Sequence, residues 1–145
     1  MILYLDTSSL VKLYLREEGS EVVRRLRDQA ETLTTSWLAY TEARSVFARK
    51  HREGNLTRNE LRQLVHELEG DWAGYLALDV SSKLLLDAGN LTEKHVLRAL
   101  AAIHLASALS VRDHPGFSGR SLTFSSADGR LLTAARAEGL DGASD

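Results

Sequence analysis

Three acidic residues stand where they could do chemistry: Asp6, Glu42 and Asp128. Asp6 closes the apolar run Ile2-Leu3-Tyr4-Leu5, and Asp128 lies in the first turn of a helix expected just after the run Ser121-Leu122-Thr123-Phe124. If both runs are strands of one parallel sheet, the two acids face the same edge, and such sheets bind ligands beyond the carboxyl ends of their strands. Glu42 shares a helix side with Ala39 and Val46, at the margin of an apolar stripe, and an acid in that position wants a cation. Convergence of the three carboxylates would make an oxygen-donor site of the kind Mg²⁺ or Mn²⁺ prefers. The hydroxyls of Thr7, Ser8 and Ser126 stand beside these acids and could orient a carboxylate or metal-bound water. Each residue also has a plain structural reading: Asp6, Thr7, Ser8 and Ser126 can cap helices, and Asp128 can stabilise a helix N-terminus.

The elements that must position these groups follow from periodicity. Ile2 to Leu5 is a continuous apolar run, as expected of a strand buried on both faces. A helix capped by Thr7 or Ser8 follows, with Leu10, Val11, Leu13, Tyr14 and Leu15 as its apolar positions, and a second runs from Ser20 to about Ala30. Thr32 to Thr35 is β-branched and strand-like, and Ser36 is placed to cap a helix to about Arg52 whose apolar stripe is Ala39, Ala43, Val46 and Phe47. Thr57 opens a helix carrying Leu61, Leu64, Val65 and Leu68. A strand at Tyr75 to Asp79 and helices at 81–91 and 96–111 come next, then a strand at Ser121 to Phe124 and a last helix, capped by Ser126, through about Glu138. The tail from Asp141 to Asp145 reads as frayed. Strands alternating with helices predict an α/β fold, a three-layer α/β/α sandwich around a mainly parallel sheet of four to five strands.

With 145 residues, 43% of them hydrophobic, the chain suits one domain over residues 1–145. No apolar stretch approaches the length of a membrane span, and the start Met-Ile-Leu-Tyr-Leu does not read as a signal peptide. The absence of cysteine rules out disulfides and thiolate metal sites. A soluble, cytoplasmic protein is expected. The net charge of −2 argues against a binder that relies on bulk positive charge. Arg44, Arg49, Lys50, His51 and Arg52 nevertheless cluster toward the end of one helix, with Arg58 close behind. They suit either a solvated helix C-terminus or an RNA-backbone contact.

Taken in order, these motifs resemble the PIN-domain ribonucleases, in particular the VapC-like toxins of type II toxin–antitoxin pairs. Ile2-Leu3-Tyr4-Leu5-Asp6-Thr7-Ser8 looks like their opening strand and first acid, and Thr41-Glu42-Ala43-Arg44 like their second acidic motif. Thr123-Phe124-Ser125-Ser126-Ala127-Asp128-Gly129-Arg130-Leu131-Leu132 is similar to the last. Between them, Leu97-Arg98-Ala99-Leu100-Ala101-Ala102-Ile103-His104-Leu105-Ala106 matches the third motif, except that Ala101 stands where the family has an aspartate. The resemblance implies a metal-dependent endoribonuclease with Asp6, Glu42 and Asp128 as catalytic acids and metal ligands, Mg²⁺ or Mn²⁺ as cofactor, RNA as substrate and a cognate VapB-like antitoxin as partner, commonly with a toxin homodimer. Ala101 has no oxygen to offer, so reduced or absent activity is expected. A non-catalytic RNA- or protein-binding PIN domain is the alternative.

His104 shares a helix face with Ala101 and reads as a hydrogen-bonded core or cleft histidine. Trp37 and Trp72 read as packing residues, and Tyr40 as a possible border of the cleft. The first helix, with Leu10, Leu13 and Tyr14, and the helix from Trp37 to Phe47 are the surfaces nominated for the antitoxin. Two other classes of small α/β protein do not fit. A receiver domain needs adjacent acids after the first strand, and a haloacid-dehalogenase-like phosphatase needs an acid where Ser8 stands. No Gly-x-x-x-x-Gly-Lys-Ser/Thr pattern occurs.

Overall fold

A computed structural model describes all residues, 1–145. Its centre is a five-stranded, wholly parallel sheet in the order β3-β2-β1-β4-β5, formed by β1 (Ile2–Leu5), β2 (Thr32–Ser36), β3 (Leu76–Leu78), β4 (Leu122–Ser126) and β5 (Asp141–Ser144). The chain moves outward from β1 through β2 to β3, then returns to the other side of β1 for β4 and β5. The strand order therefore reverses between β1 and β4, and the crevice beyond their carboxyl ends is the place where such sheets take ligands.

Strand side chains alternate between faces, so β1 feeds two cores. Ile2 and Tyr4 join Leu122 and Phe124 of β4 under α5 (Ser82–Lys94), α6 (Ala99–Arg112) and α7 (Gly129–Ala137). Leu3 and Leu5 pack on the opposite side against α1 (Thr7–Leu10), α2 (Ser20–Gln29), α3 (Trp37–Arg52) and α4 (Arg58–Trp72). The result is the expected three layers. Local signals set several boundaries: Ser36 caps α3, Ser81 caps α5, and Thr57 with Glu60 forms a capping box at α4.

The structure corrects several expectations. Asp6, not Thr7 or Ser8, caps α1, and that helix lasts one turn before a 3-10 turn over Val11–Leu13. Asp128, not Ser126, caps α7, so Asp128 precedes the helix. The tail is not frayed. Asp141–Ser144 pairs with β4, and the Asp145 carboxylate, fully buried, meets Lys12 at 2.5 Å and the hydroxyls of Ser9 and Ser125. Gly19, at φ +85°, passes so close that an added Cβ would lie 2.5 Å from the Asp145 backbone carbon.

Of the residues nominated on the first helix, Leu10 belongs to the core while Leu13 and Tyr14 stay partly exposed. Leu10 is fully buried, and the Tyr14 hydroxyl bonds to Tyr75 and Asp71. Of the aromatic residues on α3 and α4, Trp72 is buried against Trp37 while Trp37 stays 46% exposed. No helix is long and apolar enough to cross a membrane.

Candidate active site

A cleft of about 320 Å³ opens at the strand-order reversal, and four separated parts of the chain reach it: Asp6 after β1, Glu42 on α3, Ala101 on α6 and Asp128 ahead of α7. Val11, Val46 and Leu131 supply apolar wall, while Thr7, Ser8 and His104 supply polar wall.

Asp6 is the most enclosed of the acids, 5% exposed. Its Oδ1 accepts from the Ser9 amide at 3.0 Å and the Ser8 hydroxyl at 2.7 Å, and its Oδ2 accepts from the Ser126 hydroxyl at 2.5 Å. Burial pushes its carboxyl above the ordinary aspartate value, opposed by electrostatic attraction to the nearby His104 ring and by these hydrogen bonds. The same two serines bind the facing turn: Ser8 Oγ accepts the Ala127 amide and Ser126 Oγ accepts the Asp128 amide, each at 2.9 Å. Two hydroxyls thus tie the β1–α1 and β4–α7 turns to each other around Asp6.

Glu42 is held through one oxygen. Its Oε1 takes the Thr7 hydroxyl at 2.6 Å and meets His104 Nε2 at 2.9 Å, while Oε2 has no protein partner. Burial alone would raise the Glu42 carboxyl, but the bonds from His104 and Thr7 and the electrostatic attraction of the His104 ring outweigh it and hold the group below the usual glutamate range. Asp128 is also held by one oxygen, since Oδ1 accepts the amides of Arg130 and Leu131 at 2.9 and 3.2 Å as the cap of α7.

These acids share a cleft without forming a finished coordination sphere. No three His, Asp or Glu side chains are gathered closely enough to hold one ion. The physical reasons are visible: Ala101 contributes a methyl group, Glu42 is drawn toward Thr7 and His104, and Asp128 is fixed at the exposed rim by its cap. The donor chemistry fits a hard divalent cation, because every acid supplies oxygen and the enclosed Asp6 has hydroxyl and amide partners but no cationic side chain bonded to it.

The basic cluster lies elsewhere. Arg49, Lys50 and Arg52 stand two to three turns along α3 from Glu42, about 10–15 Å at helical rise. Arg49 approaches Glu53 at 3.9 Å, and Arg44 bonds Tyr40 and Glu69 beside a separate groove of about 540 Å³ between α3 and α4. Tyr40 therefore does not border the cleft. Two arginines not singled out from the sequence, Arg98 and Arg130, flank Asp128 in an adjoining pocket of about 230 Å³. Tyr4 was likewise hidden in an apolar run, while His104 is the hydrogen-bonded cleft histidine that the sequence suggested. Only the shared helix face of His104 and Ala101 hinted at the cleft.

The PIN domain family model matches this chain over residues 3–114, a span that contains Asp6, Glu42 and Ala101 but not Asp128. The chain is 37% identical over 138 residues to Ribonuclease VapC45 of Mycobacterium tuberculosis, covering 95% of this chain and 92% of that protein. It is 34% identical over 110 residues to Ribonuclease VapC3 of Pyrobaculum aerophilum, covering 74% and 82%. The fold is similar to a crystal structure of VapBC2 from Rickettsia felis bound to a DNA fragment from their promoter, with a TM-score of 0.66 at 13% identity, over 100% of this chain and 99% of that one.

Proposed function

This chain belongs to the PIN domain family, and from that membership we propose that it is a VapC-like endoribonuclease toxin, hydrolysing RNA phosphodiester bonds with Mg²⁺ or Mn²⁺ and restrained in the cytoplasm by a cognate VapB-like antitoxin. The observation that carries this reading is the single cleft reached by Asp6, Glu42, Ala101 and Asp128 from four separate elements. Asp6, Glu42 and Asp128 would hold the cation. Such an ion, when bound, lowers the pKa of its water and offsets charge on the scissile phosphate.

The chain's own residues do the remaining work. Ser8 and Ser126 fix both oxygens of Asp6, and Thr7 fixes Glu42, so the carboxylates are oriented before any ligand arrives. Arg98 and Arg130 at the rim would draw the RNA backbone toward Asp128, and Arg44, Arg49, Lys50 and Arg52 would meet it further along α3. A homodimer is part of the same reading.

Ala101 weakens the site by one carboxylate, and it favours a second reading in which the domain binds RNA or protein without cutting. Cleavage of a structured RNA panel in Mg²⁺ or Mn²⁺, by this chain and by Ala101→Asp in parallel, separates the two. Cutting confined to Ala101→Asp is the expected outcome and makes this chain a disarmed nuclease. A folded Ala101→Asp protein that binds RNA and leaves it intact would establish the binding module instead.

A further inference from the structure

The protons on the floor of the cleft can be counted. Tyr4 Oη lies 3.0 Å from His104 Nδ1, while His104 Nε2 lies 2.9 Å from Glu42 Oε1 and 3.1 Å from Thr7 Oγ1. Thr7 gives its one hydroxyl proton to Glu42 Oε1 at 2.6 Å, so toward the imidazole it can only accept. The Glu42 carboxylate can also only accept. Were Nε2 unprotonated, its lone pair would face the Glu42 and Thr7 oxygens with no hydrogen in either contact. Nε2 therefore carries the hydrogen, shared between Glu42 and Thr7. In the neutral ring Nδ1 is then an acceptor, and the Tyr4 hydroxyl is placed to fill it. In this arrangement each contact holds a hydrogen, whereas the other neutral tautomer leaves the Nε2–Glu42 contact without one.

We propose that His104 is a positioning residue for Glu42, fixed as its Nε2–H tautomer by Tyr4, and that the pair directs Glu42 to keep Oε1 for the protein and Oε2 for a divalent cation. The arrangement is built rather than incidental. Tyr4 is completely buried and stacks on Phe124 with ring centroids 5.3 Å apart, and His104 is 3% exposed on the helix that also carries Ala101. The ring can neither rotate into solvent nor exchange partners without opening the sheet–helix contact. His104 thus acts on the ligand set through Glu42 and needs no contact with RNA. Its ligand role rests on the metal reading above.

Two measurements on the full-length chain test this. Long-range proton–nitrogen NMR spectra report the His104 tautomer directly: Nε2–H is expected in the parent, and a mixture in Tyr4→Phe, which keeps the ring stack and loses the hydroxyl. Mn²⁺ titration of the Ala101→Asp chain and of its His104 variants reports the ligand set. His104→Leu should weaken Mn²⁺ binding by about tenfold, as loss of an orienting partner does, and His104→Gln, whose amide can restore an N–H toward Glu42, should recover most of it. A merely structural histidine would lower the melting temperature in both variants without separating their Mn²⁺ affinities. An Nδ1–H tautomer in the parent, or unchanged Mn²⁺ affinity in a folded His104→Leu protein, overturns the proposal. Failure of every chain to bind Mn²⁺, Ala101→Asp included, overturns the metal reading and the ligand role of Oε2 with it, while the spectra still decide whether Tyr4 sets the ring.

Discussion

Two buried aspartates lie on opposite sides of one pair of serine doublets. Ser8 and Ser126 bind Asp6, and their chain neighbours Ser9 and Ser125 bind Asp145. Successive strand residues point to opposite sheet faces, so Ser125 and Ser126 serve different pockets from adjacent positions of β4. The two acids differ in one respect. Asp145 has Lys12 against it, with side-chain exposures of 0% and 8%, whereas Asp6 has hydroxyls and an amide but no bonded cationic side chain. A buried carboxylate with its own cation is complete and serves the fold. One that is hydrogen-bonded without a bonded cationic side chain is less fully compensated, as suits a residue that receives a positive ligand.

Removing the distinction is the largest perturbation. Lys12→Met leaves Asp145, like Asp6, with hydrogen-bond donors and no bonded cation, and loss of one partner of a buried pair costs about 3–5 kcal/mol. Denaturant melts should show that loss, and the double variant Lys12→Met with Asp145→Asn should recover much of it. A cost below about 1 kcal/mol would place the pair in the class of weak surface ion pairs and dissolve the contrast.

Ser126→Ala acts on the other region and more mildly. It takes one donor from Asp6 Oδ2 and one acceptor from the Asp128 amide, a loss of about 1–3 kcal/mol for groups left unsatisfied in a buried site. With Ala101→Asp in the background, Mn²⁺ affinity should fall as well, because both flanking acids lose their alignment. Ser125→Ala, its neighbour, should leave Mn²⁺ binding unchanged, and equal effects from the two would erase the division of labour between the doublets.

The legibility of these regions in the sequence was uneven for a physical reason. Acids at strand ends can be read because the strand itself announces where its last residue points, and Asp6 and Asp128 were visible on that basis. Thr57 and Ser36 could be read because a cap is satisfied within three residues of chain. Asp145 was not, since Asp-Gly-Ala-Ser carries neither β-branched residues nor alternation and becomes a strand only by pairing on the edge of β4. Its partner Lys12 lies 133 positions away. Tyr4 and His104, 100 positions apart, sit in apolar patterns that packing explains completely. Arg98 and Arg130 gain meaning only when the turns before α6 and α7 come together. The early end of α1 has no explanation in its local sequence.

The smallest effect has the opposite sign and bears most directly on how well the Asp6 charge is compensated. Burial raises the folded-state pKa of Asp6 above its ordinary value of 3.8, so the folded protein holds that proton more tightly than the unfolded chain. Stability from this group is therefore fully present below the unfolded pKa and is lost as pH rises through the folded one. Glu42 runs the other way: its folded pKa is lowered from 4.5, so its contribution is present above that value and is lost as pH falls through the folded pKa. In metal-free buffer, Asp6→Asn should gain on the parent as pH climbs from about 4, while Glu42→Gln should fall behind it only as pH rises to about 4.5 and then run parallel to it. Urea midpoints across that range read both slopes. If Asp6→Asn tracks the parent at every pH, the serines and the Ser9 amide already compensate the buried charge in full, and Asp6 would be as complete as Asp145. If the two slopes diverge as expected, the stability lost by ionising Asp6 is what a cation in the cleft would restore.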